Sequence, residues 1–228
     1  MNNKAKIIFT DLDRSLLNND SQISEFTKNV LLECKEKGIY IVFATARPLR
    51  GVKIFYNSIV PHAEICHLGA VAYVNNVEIY KCGINPIMVK EILENIMKMY
   101  PKANLAIESN DVMYSTHDIS KIWADVYRIL DIQNLPENEI DKIIIREMEI
   151  EKIKEIGKNI PKELYLEICE GKLGLIMNKG ATKWNGIKKI LEYYKISVKN
   201  SIAFGDDYND IEMIENCGIG IAMENGIE

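Results

Sequence analysis

The sequence predicts an α/β protein: a Rossmann-like open parallel sheet interrupted by an inserted α+β unit. Short apolar runs typical of strands covered on both faces recur near both ends, at residues 6–10, 39–44, 201–204 and 219–222. Helix-patterned segments separate them, and strand, helix, strand in that order implies right-handed parallel crossovers. Between the two ends lie hairpins mixed with helices, the pattern of a distinct α+β unit.

The first apolar run ends abruptly at Asp11-Leu12-Asp13. A helix follows from about Ser24, a favoured N-cap, with Phe26, Val30, Leu31 and Cys34 on one face and Gly38 as its stop. The second run leads into Thr45-Ala46-Arg47-Pro48, and residues 71–74 and 77–80 alternate about Asn75-Asn76 as a hairpin does. The insertion is set at residues 82–172, leaving 1–81 and 173–228 as a discontinuous core. Inside it we expect a helix from about Pro86 that buries Val89, Ile92, Leu93, Ile96 and Met97, and a hairpin that turns at Asn110-Asp111. A helix with Ile122, Trp123 and Val126 inward, a strand at 143–146 and a short helix around Ile153 follow, and a hairpin with arms 164–169 and 173–177 straddles the second boundary. The core pattern resumes at Thr182 with a helix that turns Trp184, Ile187, Ile190 and Leu191 inward, and another helix runs near 211–215.

At 228 residues and 47% hydrophobic composition the chain can bury one large core or two modest ones. A net charge of −5 gives no general attraction to nucleic acid or to an anionic membrane. The five cysteines, Cys34, Cys66, Cys82, Cys169 and Cys217, never form the close pairs of zinc or dithiol sites, so reduced thiols and a cytoplasmic setting are expected. No segment approaches the roughly 20 apolar residues of a membrane span, and the start, MNNKAKIIFTDLD, lacks a signal-peptide pattern. The expected partner is a small molecule, not nucleic acid or membrane, with monomer and homodimer both open. Gly218 and Gly220 are followed by Met223 where a dinucleotide loop has its third glycine, so they indicate a structural turn. His62, His67 and His117 are dispersed and fit surface or packing positions.

In an open parallel sheet, ligands bind beyond the carboxyl ends of the strands. That rule gathers Asp11 and Asp13, Thr45, Lys183, and the acidic run Asp206, Asp207 and Asp210 in one crevice. Crowded carboxylates repel one another, and a hard divalent cation answers that cost. Oxygen ligands without a His or Cys cluster favour Mg²⁺. The Thr45 hydroxyl and Lys183 ammonium add a donor and a positive charge suited to a tetrahedral dianion, and phosphate is the economical ligand.

Asp11-Leu12-Asp13-Arg14-Ser15, Thr45 in ATARP, Lys183 in KGATK, and the run from Gly205 to Asp210 resemble, in order, the four motifs of the haloacid dehalogenase superfamily. The insertion between the second and third motifs is similar to the cap of its Cof-type branch. The resemblance implies a phosphatase acting in two steps, with Asp11 as nucleophile and Asp13 as general acid and then base. It implies Mg²⁺ held by the Asp11 carboxylate, the Asp13 backbone carbonyl and Asp206, with Asp207 or Asp210 acting directly or through water. Thr45, Ala46, Arg47, Lys183 and Asn209 would bind the substrate's phosphoryl group, and the cap would close over the site, with the 108–111 turn as a further contact.

Three positions depart from the family pattern. Arg14 stands where glycine is usual, and either narrows the site or touches substrate, or faces solvent; Ala46 replaces a glycine and disfavours a positive φ; Leu68 replaces an asparagine. The resemblance also implies a further helix packed on the sheet after the strand at 219–222, before which this sequence stops, so a truncated C-terminus and an absent helix are both open. Small phosphomonoesters, sugar phosphates first among them, are the expected substrates. A phosphomutase on the same fold and a catalytically silent phosphate-binding regulatory module are the alternatives.

Overall fold

The computed structural model describes residues 4–120, 127–169 and 173–227. In chain order the elements are β1 (Ile7–Thr10), α1 (Glu25–Glu36), β2 (Tyr40–Ala44), α2 (Leu49–Lys53), β3 (Ala63–Cys66), β4 (Val71–Val74) and β5 (Val77–Lys81). There follow α3 (Pro86–Met99), β6 (Asn104–Ser109), β7 (Val112–Ser115), β8 (Tyr127–Ile129), β9 (Lys142–Arg146), α4 (Ile150–Lys158), β10 (Leu164–Cys169) and β11 (Leu173–Asn178). The chain closes with α5 (Lys183–Tyr194), β12 (Ser201–Gly205), α6 (Ile211–Asn216) and β13 (Ile219–Ala222).

Two compact units result, Met1–Lys81 with Ala181–Glu228, and Cys82–Gly180. The first holds a seven-stranded sheet in the order β13-β12-β1-β2-β3-β4-β5. Strands β13 through β3 run parallel, and the β4–β5 hairpin continues the sheet antiparallel. The hairpin turns at Asn75 and Asn76, both at positive φ, as two-residue turns matched to strand twist require. Strand β1 lies centrally, between β12 and β2, so its carboxyl end is flanked by the ends of both. Alternate side chains divide between the faces: Ile7, Phe9, Val42 and Ala44 pack with Ile187, Ile190 and Leu191 of α5 and Met213 of α6.

The inserted unit is a six-stranded sheet in the order β10-β11-β9-β6-β7-β8. Its apolar face, Leu105, Ile107, Ile143, Ile145 and Ile176, packs with Val89, Ile92, Leu93 and Ile96 of α3 and with Ile153 and Ile156 of α4. The second boundary differs from the expected 172. Leu175 pairs with Ile144 in β9, so both arms of the β10–β11 hairpin belong to the inserted sheet and the division falls after Gly180. The expected helix with Ile122, Trp123 and Val126 inward lies outside the described residues.

α1 is capped as expected, the Ser24 hydroxyl accepting from Thr27 N, and Gly38 follows at positive φ. Its face is not buried as a whole. Leu31 is covered, but Phe26 and Val30 are exposed along an apolar groove of about 260 Å³ that also includes Ile8, Leu16 and Phe204. Cys34 is half-buried, so the four residues share one face as expected while its cover is incomplete.

The loop after β3 was not legible as a structural device. His67, Leu68 and Gly69 all have positive φ, and Gly69 lies against the Thr182 backbone at the start of α5. A Cβ at Gly69 would sit 2.0 Å from the Thr182 carbonyl oxygen. The chain therefore passes directly beneath the residue that precedes Lys183. We predict that Gly69→Ala destabilises the protein by roughly 3 kcal/mol in chemical denaturation, from overpacking together with the strained φ. A change below about 1 kcal/mol would show that this contact yields without consequence.

Candidate active site

The site is assembled at the carboxyl ends of β1, β2 and β12 and the start of α5. Asp11 follows β1 directly and is buried, and its N–H donates to the Phe204 carbonyl of β12 at 3.0 Å. The chain then makes a wide turn through Leu12–Leu16, closed by bonds from Leu16 N to Asp11 O (3.2 Å) and from Leu17 N to Leu12 O (2.8 Å). This turn sets Asp11 inside and Asp13 outward, where about half of the Asp13 side chain is exposed.

Lys183 is the first residue of α5, capped by Thr182, and is 2% exposed. A cation there opposes the helix dipole and has lost its water. Two carboxylates hold it: Lys183 Nζ is 2.6 Å from Asp11 Oδ1 and 2.6 Å from Asp210 Oδ1. The other oxygen of Asp210 accepts from the N–H groups of Asp206 (3.0 Å) and Asp207 (3.2 Å), which fixes the loop after β12. Gly205 has to be glycine here, since a Cβ would lie 2.4 Å from Asp210 Cβ. Asp206 Oδ1 accepts from the Ser15 hydroxyl at 2.7 Å, so the serine in the position after Arg14 keeps a structural use.

Thr45 is fully buried at the end of β2. Its N–H is taken by Ile65 O at 2.8 Å, and its hydroxyl oxygen accepts from Arg47 N at 3.2 Å, which leaves the hydroxyl hydrogen free to donate elsewhere. Ala46 does not take a positive φ, so the missing glycine causes no strain there. Arg47 forms a two-pronged pair with Asp13, Nε to Oδ2 at 2.7 Å and Nη2 to Oδ1 at 2.5 Å, and its guanidinium lies over the Phe55 ring. Asp207 is exposed and caps the next turn through Tyr208 N, and the buried Asn209 Oδ1 has no hydrogen-bond partner among the described residues. Arg14 reaches the Asn225 carbonyl and lies beside Asp206. Leu68 is buried in the loop beneath α5 and is part of its packing. His67 is buried likewise, and His62 Nδ1 accepts from Ile41 N, both packing positions.

Among the described residues, Asp11, Asp206 and Asp210 each offer a carboxylate oxygen within 4.8 Å of the others, and all three are buried. Burial pushes Asp11 up to about 7 and Asp210 adds to the rise, against the opposing pull of Lys183. Burial likewise raises Asp206. Burial alone would lower Lys183, but Asp11 and Asp210 outweigh it and hold the ammonium charged. A buried oxygen-only donor set in which Asp11 and Asp206 resist ionisation fits a hard divalent cation, which would favour the charged forms of those two. The Asp13 carboxylate lies outside this cluster, engaged by Arg47.

Residues 8–228 match the profile of the haloacid dehalogenase-like hydrolases. The chain belongs to that family. Within the haloacid dehalogenase superfamily it is a Cof-type hydrolase. The 5-amino-6-(5-phospho-D-ribitylamino)uracil phosphatase YitU of Bacillus subtilis is 29% identical over 247 residues, covering 100% of this chain and 90% of that protein. Among solved structures, TM0651 from Thermotoga maritima superposes with a TM-score of 0.87 at 24% identity, covering 98% of this chain and 88% of that one. The subclass IIB sugar phosphatase BT4131 gives a TM-score of 0.83 at 22% identity, with 98% and 89% covered. Both structural likenesses are likenesses of fold.

Sequence reasoning missed three supports of this candidate site: Gly69 beneath α5, Phe55 beneath Arg47, and Asn225 against Arg14. Only Gly69 left a signal, a glycine in a short loop between apolar runs.

The raised Asp11 has a consequence for stability. Because its folded pKa lies above the ordinary value, stability is lost as pH rises through about 7 and is regained on acidification. In metal-free protein the melting temperature of wild type relative to Asp11→Asn should therefore fall by several degrees between pH 4 and pH 8, on top of the constant cost to the variant of losing one partner of Lys183. A difference that does not change across that range would show that Asp11 carries no burial penalty.

Proposed function

We propose that this phosphatase hydrolyses small phosphomonoesters, sugar phosphates first among them, with Mg²⁺ and through a phosphoaspartate on Asp11. The observation that carries the reading is the Lys183 ammonium 2.6 Å from both Asp11 and Asp210, inside a buried acidic cluster at the strand ends. Such a centre presents a nucleophilic oxygen and a fixed positive charge to one incoming dianion.

In this reading an Asp11 carboxylate oxygen attacks phosphorus in line, a new O–P bond forms, and the bond to the leaving oxygen breaks. Asp13 donates a proton to that oxygen. Asp13 then takes a proton from water as the water oxygen attacks phosphorus, and the bond to Asp11 breaks to give inorganic phosphate. Both Asp13 oxygens accept from Arg47, so the pair must loosen at one prong before Asp13 can hand over a proton. Thr45 donates its hydroxyl hydrogen to a phosphoryl oxygen, and Lys183 neutralises charge there. Arg47, Ala46 and Asn209 complete the phosphoryl contacts.

Mg²⁺ would be held by the Asp11 carboxylate, the Asp13 main-chain carbonyl and Asp206, and would neutralise phosphoryl charge. Asp210 already accepts from Lys183 and two backbone N–H groups, so it acts through the geometry of that loop or through water. Asp207, exposed and capping, is the outer alternative. The five free cysteines support a cytoplasmic setting. Among the described residues no helix is long and apolar enough to cross a membrane.

The test is phosphate release from p-nitrophenyl phosphate and a panel of sugar phosphates, with Mg²⁺ or with chelator, beside Asp11→Asn. Turnover should require the metal and fall at least about 10³-fold in the variant. Release that survives loss of the Asp11 carboxylate would contradict the nucleophile, and a sugar-phosphate isomer formed without free phosphate would indicate a mutase instead.

A further inference from the structure

Arg14 occupies the left-handed backbone region, φ 66° and ψ −2°, which strains any residue with a Cβ and persists only where neighbours hold it. The holding contacts are reciprocal. Arg14 Nη2 donates to the Asn225 carbonyl at 3.1 Å, and Asn225 Nδ2 donates back to the Arg14 carbonyl at 2.9 Å. Residues 223–227 are themselves bonded to the loop that carries Asp206: Met223 N donates to Gly205 O and Ile227 N to Asp206 O, each at 2.9 Å. Three short segments are thus tied together around one carboxylate.

The clasp fixes the guanidinium where its charge acts on that carboxylate. Arg14 Nε lies 3.9 Å from Asp206 Oδ2, while Ser15 already occupies Oδ1 at 2.7 Å. Asp206 is 3% exposed at its side chain and Arg14 69%, so the arginine is the solvent-side member of the pair. We propose that the Arg14 guanidinium, fixed by its clasp with Asn225, is an internal competitor for Asp206 that lowers the site's affinity for its divalent cation. This rests on the metal reading above and adds to it a residue that tunes occupancy. A divalent ion approaching Asp206 meets a positive charge it must displace or tolerate, and because that charge is well solvated the effect is several-fold and not orders of magnitude.

Calorimetric titration of Mg²⁺ into the full chain tests this without reference to turnover. At low salt Arg14→Gln should bind Mg²⁺ about 2- to 5-fold more tightly than wild type, and Arg14→Lys, which keeps the charge, should stay near the wild-type value. The gap should close in 1 M NaCl, where the screening length falls to about 3 Å. Equal or weaker binding by Arg14→Gln, tightening by Arg14→Lys to the same extent, or a gap that salt leaves untouched would overturn the proposal while leaving the metal site standing. Absence of Mg²⁺ binding by wild type would overturn both.

Discussion

Lys183 is a buried ammonium at the start of a helix, a position where neither solvent nor the helix dipole favours its charge. It is tolerable only because Asp11 and Asp210 close on it from two sides, and those carboxylates are tolerable only because of the ammonium. This mutual dependence reaches outward. Asp210 spends its second oxygen on the N–H groups of residues 206 and 207, which sets the path of the loop and hence the position of Asp206. Asp206 in turn takes the Ser15 hydroxyl, which ties the turn after β1 to the loop after β12.

The parallel topology makes the arrangement possible. Placing β1 between β12 and β2 brings residues 11, 45 and 206, remote in sequence, to the same edge of one sheet. The close approach of Gly69 to the Thr182 backbone sets the start of α5 near enough for Lys183 in its first turn to reach them. A site built this way holds its buried carboxylates at a cost, to which the raised Asp11 points, and a cation bound among them would relieve it. Electrostatic preorganisation of this kind is the chief means by which a protein accelerates phosphoryl transfer.

Much of this was legible in the sequence. Continuous apolar runs marked the parallel strands, paired asparagines marked the β4–β5 hairpin, and acidic residues immediately after two strands marked side chains that the fold brings together in the candidate site. The boundary at Gly180 was not, because a hairpin arm reads the same whether it joins one sheet or the other; the pairing of Leu175 with Ile144 is a tertiary fact. The exposure of Phe26 and Val30 escaped for a related reason, since helical periodicity says which residues share a face and not how much of that face is covered. Arg47 was expected at the substrate. Its pairing with Asp13 depends on two turns folding towards each other, which no local pattern encodes.

The central claim, that Lys183 and Asp210 each depend on the other, is tested most directly by a double-mutant cycle on stability in metal-free protein at pH 8. Lys183→Met should cost about 3–5 kcal/mol, since it leaves two buried carboxylates without their cation, and Asp210→Asn somewhat less, since the ammonium keeps Asp11. The double variant should cost less than their sum by at least about 2 kcal/mol. Additive losses would contradict the account, because they would mean that the two charges stand in the interior independently.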